Sequence, residues 1–499
     1  MGRLLMKLPG VEAVYVRHTH PRSPSFVPGH SDLDLTVVLS DQAAEAPEKI
    51  EAVADLLERR RLFHYYLSPE DARITTTGEL ARLTGGWPPM EILVSQADWT
   101  LLAGMDVRRA EPLHLPARRM PWHPEFNRWW GHILQDYLLL AMPGLENQYH
   151  RVFYRGAVKQ AAYFMAARGL TPPQTGPSTD HGLAEWVFRN DPGMKDLLTG
   201  LEERGFWEGG QQGLRERIFC EVLRRAEDFF ADLPSGYRLA DKRTPTPAES
   251  GLHAAAYDVL ASKLNGLPEL KSRLAGVLAY PTPYCHPYFY QADMLLPERI
   301  SEDELTDLAD ILRKEFRGRE FSTENYHFSI TLVPEKVYRV PLAFRGTPFP
   351  FLPEHVGRYG RMLFGDEPAA MKDSARMDDL AEWCRIFFPF FAFNLGRRVE
   401  HSSRTLNFCQ MAAVRLFLTT GEFVTDALFL RARHAEVFGD ESPPPAVWDY
   451  LLRDKPGRRE QSLYRSAASH LAAELARVEK MLDATDGQRP PGGGKDSLR

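Results

Sequence analysis

Along the first hundred residues the apolar pattern alternates between strand and helix periods. Residues 11–16, VEAVYV, are apolar and β-branched, and after a proline-rich loop the run LDLTVVL at 33–39 reads as a second strand that pairs with the first. In EKIEAVADLLERRR, residues 48–61, Ile50, Val53, Ala54 and Leu57 fall at i, i+3, i+4 and i+7, the stripe of an amphipathic helix turned towards a sheet. LFHYYL at 62–67 and MEILV at 90–94 read as two further short strands. The order strand, strand, helix, strand, strand predicts a small α+β domain with its helix packed on a mixed sheet.

From NRWWGHILQDYLLLAM at 127–142 to FCEVLRRAEDFFADL at 219–233 the period becomes helical, interrupted by loops at LTPPQTGPSTD and EGGQQG. LPSGYRLADKRTPTPAESG, residues 233–251, is rich in proline, glycine and charge and reads as a linker. Beyond it the same succession returns at an offset of about 250 residues. LADILRKE answers VADLLERR, with Leu305, Leu308, Ala309 and Leu312 on one stripe behind a Ser301/Glu304 capping box. FSITLVPE at 328–335 answers FHYYLSPE at 63–70, Trp383 answers Trp129, and Gly421 answers Gly169. These matches predict an internal duplication: an α+β domain at 1–108, a helical domain at 109–235, a linker at 236–251, a second α+β domain at 252–365 and a second helical domain at 366–484. The low-complexity tail at 485–499 is expected to be disordered.

At 499 residues the chain is too long for one core, which agrees with several domains. Apolar residues make up 43% and charged residues 26%, a globular mix in which each domain can bury a core. The net charge of −6 gives no global attraction to nucleic acid or to an anionic membrane, so no extended nucleic-acid partner is expected. Cys220, Cys285, Cys384 and Cys409 are widely spaced and suggest neither a zinc knuckle nor a disulfide framework. With no signal-peptide pattern at the start and no apolar run long enough for a membrane span, the expected location is cytoplasmic.

The candidate chemistry lies in FVPGHSDLDLTVVLSD, residues 26–41. Asp32 and Asp34 stand one residue apart at the mouth of a strand, and alternation turns both to one face while Leu33 and Leu35 take the other. Like charges held so close need a cation between them or water around them, so the two readings are a divalent metal site and a solvated strand end.

VRHTHPRSPSFVPGHSDLDLTVVL, residues 16–39, resembles the signature of the nucleotidyltransferase superfamily that includes DNA polymerase beta and kanamycin nucleotidyltransferase. In that family a strand ends in Gly-Ser and, after a loop, Ser-Asp-x-Asp opens the next strand; Ser31, Asp32 and Asp34 match the second half. The resemblance spans residues 8–100 and implies a third carboxylate on a later strand, with Glu91 first and Asp98 second among the candidates. It implies that Asp32, Asp34 and Glu91 hold two magnesium ions, one activating an acceptor hydroxyl against the α-phosphate of a nucleoside triphosphate and the other neutralising the leaving pyrophosphate. The implied partners are a nucleoside triphosphate and an unidentified small-molecule or protein acceptor.

Thr19-His20 stands where the family has Gly-Ser. Glycine there lets backbone amides approach a triphosphate; Thr19 fills that space with a branched side chain, while His20, with Arg17, His18 and Arg22 nearby, offers donors or positive charge. Thr19, His20, Arg22 and Ser31 are accordingly the nucleotide-contact candidates. Arg155 and Lys159 join them, because with Arg151 they form an i, i+4 row of like charges that calls for an anion or for solvent. Two other functions fit the residues: a non-catalytic tandem protein that binds a nucleotide or a partner, and a metal-dependent hydrolase using His18, His20 and His30. In the second copy Asp293 is expected in the place of Asp34 and Gln291 in that of Asp32, and no acidic residue occurs between Glu335 and Glu354. The C-terminal half is therefore expected to lack a two-metal site.

Overall fold

The computed structural model describes residues 1–16, 35–44, 49, 52–53, 55–57, 73–77, 99–107, 138–139, 157–158, 160–162, 165, 170, 179–203, 214–231, 253–284, 289–316, 319–334, 352–366, 401–422, 424–452, 470, 473–474, 476–478 and 480–481. The chain opens with a short helix α1 (Gly2–Leu5), strands β1 (Val11–Val16) and β2 (Leu35–Leu39), a helical turn α2 (Asp41–Ala44), and strands β3 (Arg73–Thr76) and β4 (Thr100–Gly104). Across the sheet the order is β3-β2-β1-β4, with β1 antiparallel to both neighbours and β2 parallel to β3. Residues 49, 52–53 and 55–57 are helical, and Val53 and Leu57 are buried with Val14, Val16, Leu35, Val37 and Leu39. Val53 and Leu57 thus pack on one sheet face, and the described chain mixes helices with two small mixed sheets, compatible with the expected α+β class.

The expected strands at 62–67 and 90–94 lie outside the described residues. β3 and β4 come from segments the apolar pattern passes over. In Arg-Ile-Thr-Thr the β-branched side chains suit a pleated surface although only Ile74 is apolar.

Helices α3 (Thr179–Asn190), α4 (Pro192–Glu203) and α5 (Leu214–Ala231) follow. Next come α6 (Ala254–Asn265), α7 (Pro268–Ser272), β5 (Gly276–Pro281), β6 (Phe289–Leu296), α8 (Glu302–Glu315), β7 (Glu320–Ser322), β8 (His327–Pro334), α9 (Leu352–Tyr359) and β9 (Arg361–Gly365). The expected capping box opens α8: Glu304 N donates to Ser301 Oγ at 3.3 Å and Ser301 N donates to Glu304 Oε2 at 2.9 Å. Leu305, Leu308, Ala309 and Leu312 are buried, as their spacing predicts. Helices α10 (His401–Thr420), α11 (Ala427–Phe438) and α12 (Pro445–Leu451) complete the described elements. Among the described residues no helix is long and apolar enough to cross a membrane.

The second sheet runs β7-β8-β6-β5-β9. Without its edge strand β7 it has the strand order and directions of the first: β5 is antiparallel to β6 and β9, and β6 is parallel to β8. Both sheets carry a bulge at one place, between Val14 and Tyr15 against β4 and between Val277 and Leu278 against β9. Superposing the two registers on that bulge matches Tyr15 with Leu278, and hence Thr36 with Asp293 and Leu35 with Ala292. On this superposition Asp293 matches Thr36, and by count Gln291 matches Asp34. Likewise β8 and β3 hold the same place in the two strand orders, while the run at 63–70 lies outside the described residues.

Among the described residues, the helices between the sheets share a core with the second sheet. Ala161, Val187, Phe219 and Val222 belong to one continuous apolar cluster with Val277, Met294, Leu305 and Leu308 of the second sheet and its helix α8.

Candidate functional site

Asp32, Asp34, Glu91, Thr19, His20, Arg22, Ser31, Arg155 and Lys159 all lie outside the described residues, as do Asp98, His18 and His30. What the structure describes is the ground beside them. β2 begins at Leu35, and its side chains alternate: Leu35, Val37 and Leu39 enter the helix-side core, whereas Val38 packs with Ala13, Tyr15 and Trp99 on the other face. Thr36 lies opposite Tyr15, and so shares that second face. The Tyr15 hydroxyl donates to Asp106 Oδ1 at 3.1 Å and accepts from Val107 N at 2.7 Å, and its ring lies 5.6 Å from Trp99. This face is thus a packed platform. Thr36 is fully buried on it, and its Oγ1 has no hydrogen-bond partner.

β3 was not anticipated, and neither was Asp71, which stands two residues before it in sequence. Parallel pairing matches Thr36 with Arg73 and continues to Leu39 with Thr76. A short strand with one apolar residue has no period-two signature, so only the ladder reveals where it sits.

The corresponding face of the second sheet is closed. The Tyr280 hydroxyl donates to Asp293 Oδ2 at 3.1 Å, and both side chains are buried. Burial, reinforced by the Asp293 charge, holds the Tyr280 hydroxyl well above the usual phenol range, so it stays a donor. His355 of α9 is buried above the strand ends, its Nε2 2.6 Å from the Pro281 carbonyl and its Nδ1 2.7 Å from Thr425 Oγ1. Nε2–H therefore donates to the carbonyl, and Nδ1 accepts from the threonine. Burial pulls the pKa of this imidazole down to about 4, so it is neutral. Gln291 is neutral as well, and among the described residues no cluster of three histidine, cysteine or acidic side chains could hold a metal.

A second polar cluster lies in the C-terminal helices. His434 Nδ1 is 2.9 Å from Ser442 Oγ, and His434 Nε2 is 3.5 Å from Glu474 Oε2, an ion-pair distance without hydrogen-bond geometry. The sequence serine, histidine, carboxylate has the order of a nucleophilic triad. Its surroundings do not: His434 and Glu474 are fully buried, and Arg415 and Arg477 reach Glu474 Oε1 at 2.8 and 2.9 Å. Burial raises the Glu474 pKa, and His434, Arg415 and Arg477 together outweigh it and hold the carboxyl below its usual range. The cluster ties residues of the C-terminal segment to α10 and α11, and its chemistry is structural. Comparison with protein-family models, curated proteins and solved structures finds no match for this chain.

Proposed function

We propose that the N-terminal half is a nucleotidyltransferase that moves a nucleoside monophosphate from a nucleoside triphosphate to a hydroxyl of a small molecule or protein, and that the chain is a tandem duplication whose second copy has lost its metal site. One observation carries the reading: β2, which Ser31-Asp32-Leu33-Asp34 leads into, is an interior strand between antiparallel β1 and parallel β3, with a helix on one face. The recurrence of that order and its bulge in the second sheet supports the duplication.

The donors suit magnesium, which prefers hard oxygen ligands; the buried, unpartnered Thr36 Oγ1 adds another oxygen two residues beyond Asp34. Asp32, Asp34 and a third carboxylate would hold two magnesium ions, which supply charge for activating the acceptor hydroxyl and for the departing pyrophosphate. Ser31, Thr19, His20 and Arg22 would meet the phosphates from the loop, and Arg155 and Lys159 from the helical side. For the third carboxylate the resemblance points to Glu91, and the sheet register supports Asp71. β2 and β3 pair at a constant step, Thr36 with Arg73 and Leu39 with Thr76, and by count alone that step would match Asp34 with Asp71. The matching pair in the second sheet is Gln291 with Ser329, neutral on both strands.

The experiment is magnesium-dependent release of labelled pyrophosphate from each of the four ribonucleoside triphosphates in the presence of cell extract. Release that Asp32→Asn abolishes supports transfer. No release from folded protein moves the assignment to a non-catalytic nucleotide- or partner-binding module, the reading favoured by Thr19-His20 in place of Gly-Ser. Zinc retained through purification would instead support the hydrolase built on His18, His20 and His30.

A further inference from the structure

Among the described residues two non-glycine side chains stand on left-handed backbone, Arg299 with φ +56° and Tyr284 with φ +58°. For a bulky residue that conformation is costly and persists only where its neighbours enforce it. Arg299 is held by one contact, its N donating to the buried Glu227 carboxylate at 3.3 Å. Tyr284, in the turn after β5, is held by a circuit that runs through three elements. Its N donates at 3.0 Å to the carbonyl of Thr425, in the turn between α10 and α11. Thr425 Oγ1 donates to Nδ1 of His355 on α9 at 2.7 Å, and His355 Nε2 donates at 2.6 Å to the Pro281 carbonyl that ends β5. The chain from Pro281 to Tyr284 closes the circuit, and Tyr284, His355 and Thr425 are all buried.

One group in this circuit is unsatisfied. The Tyr284 hydroxyl is buried and has no hydrogen-bond partner among the described residues. Burial, with the Cys409 thiol of α10 nearby, holds its pKa well above the usual phenol range, so it is a neutral donor denied water. The left-handed backbone and the stranded hydroxyl both favour a Tyr284 turned out to solvent, whereas the bonds through Thr425 and His355 favour the buried one. Opposed terms on a single residue make a two-state element.

We propose that Tyr284 is a latch between the second sheet and the C-terminal helices. In the closed state the phenol is buried and the turn after β5 grips Thr425. In the open state the turn at 282–284 releases the Thr425 carbonyl, the phenol enters water, and Cys409 on α10 is uncovered while the sheet stays paired. Opening thereby breaks the backbone hydrogen bond that ties the α10–α11 turn to the end of β5. The latch requires neither a nucleotide nor a metal.

The test uses the full chain, with Cys409, buried in the closed state, as the reporter. Iodoacetamide labelling of the Cys409 peptide is followed by mass spectrometry at neutral pH in rising urea below the unfolding transition. In wild type the rate is expected to be nearly independent of urea, as for a local opening that exposes little surface. Tyr284→Phe removes the stranded hydroxyl, favours the closed state and is expected to label about tenfold more slowly. Thr425→Val keeps the backbone carbonyl but takes the donor from His355 Nδ1, and is expected to label about tenfold faster, still without urea dependence. Wild-type labelling that rises with urea as steeply as global unfolding would overturn the latch, and so would Tyr284→Phe that labels as fast as wild type. If Thr425→Val fails to fold, the wild-type slope and Tyr284→Phe decide by themselves.

Discussion

Gly104 and Gly365 hold the same position in two sheets: each ends the edge strand beside a bulge, with φ of +91° and +82°, opposite Ala13 and Gly276. A Cβ on Gly104 would lie 2.1 Å from the Glu12 carbonyl oxygen, and one on Gly365 would lie 2.2 Å from that of Ala275. Each position excludes a side chain twice, by backbone conformation and by contact with the neighbouring strand.

Alanine at either glycine is therefore expected to destabilise the protein by about 2–5 kcal/mol. Gly421, also at positive φ but with nothing within 4 Å of a Cβ, separates the two causes. Gly421→Ala should cost only about 1–2 kcal/mol. Urea unfolding of the three variants decides, and equal losses at all three would remove the steric part of the argument.

The two halves should differ in their response to metal. Asp32→Asn is expected to weaken manganese binding, whereas Asp293→Asn, whose carboxylate accepts from Tyr280 on a closed face, should leave it within error. Asp71→Asn and Glu91→Gln, titrated in the same calorimeter, identify the third carboxylate: the strand register favours loss in Asp71→Asn.

His355 gives a pH dependence with a defined sign. Its pKa is about 4 folded against 6.5 for a free imidazole, so between those values the unfolded chain binds more protons. Stability thus rises with pH through that window, by about 3 kcal/mol in all, and is level above it. Urea unfolding at neutral pH and near pH 4 should show this loss in wild type and a smaller one in His355→Gln. Equal acid sensitivity in the two proteins would refute the assignment.

Glu474→Gln should cost about 3–5 kcal/mol, because Arg415, only 7% exposed at its side chain, loses its buried counter-charge. The Glu474 carboxyl is held below its usual range, so its contribution is complete above the unfolded carboxyl pKa and declines as pH falls through the folded one. Chemical denaturation of the variant at neutral pH measures the first effect, and a loss below 1 kcal/mol, on the order of a surface pair, would refute it.

Local pattern in the sequence determined the elements whose signal is periodic: β1, β2, the helix around Val53 and Leu57, and α8 with its cap and four buried residues. It also singled out Asp32 and Asp34, through their spacing and their likeness to a known signature. What it left open is which element meets which. An amphipathic stripe shows that a helix has an apolar partner but carries no address, so only the tertiary structure joins the helices at 157–231 to the second sheet. Strand register is set by ladders between distant residues and by the bulges at Tyr15 and Leu278. For that reason only the folded sheets pair Thr36 with Tyr15 and Asp293 with Leu278, and bring β3 beside β2.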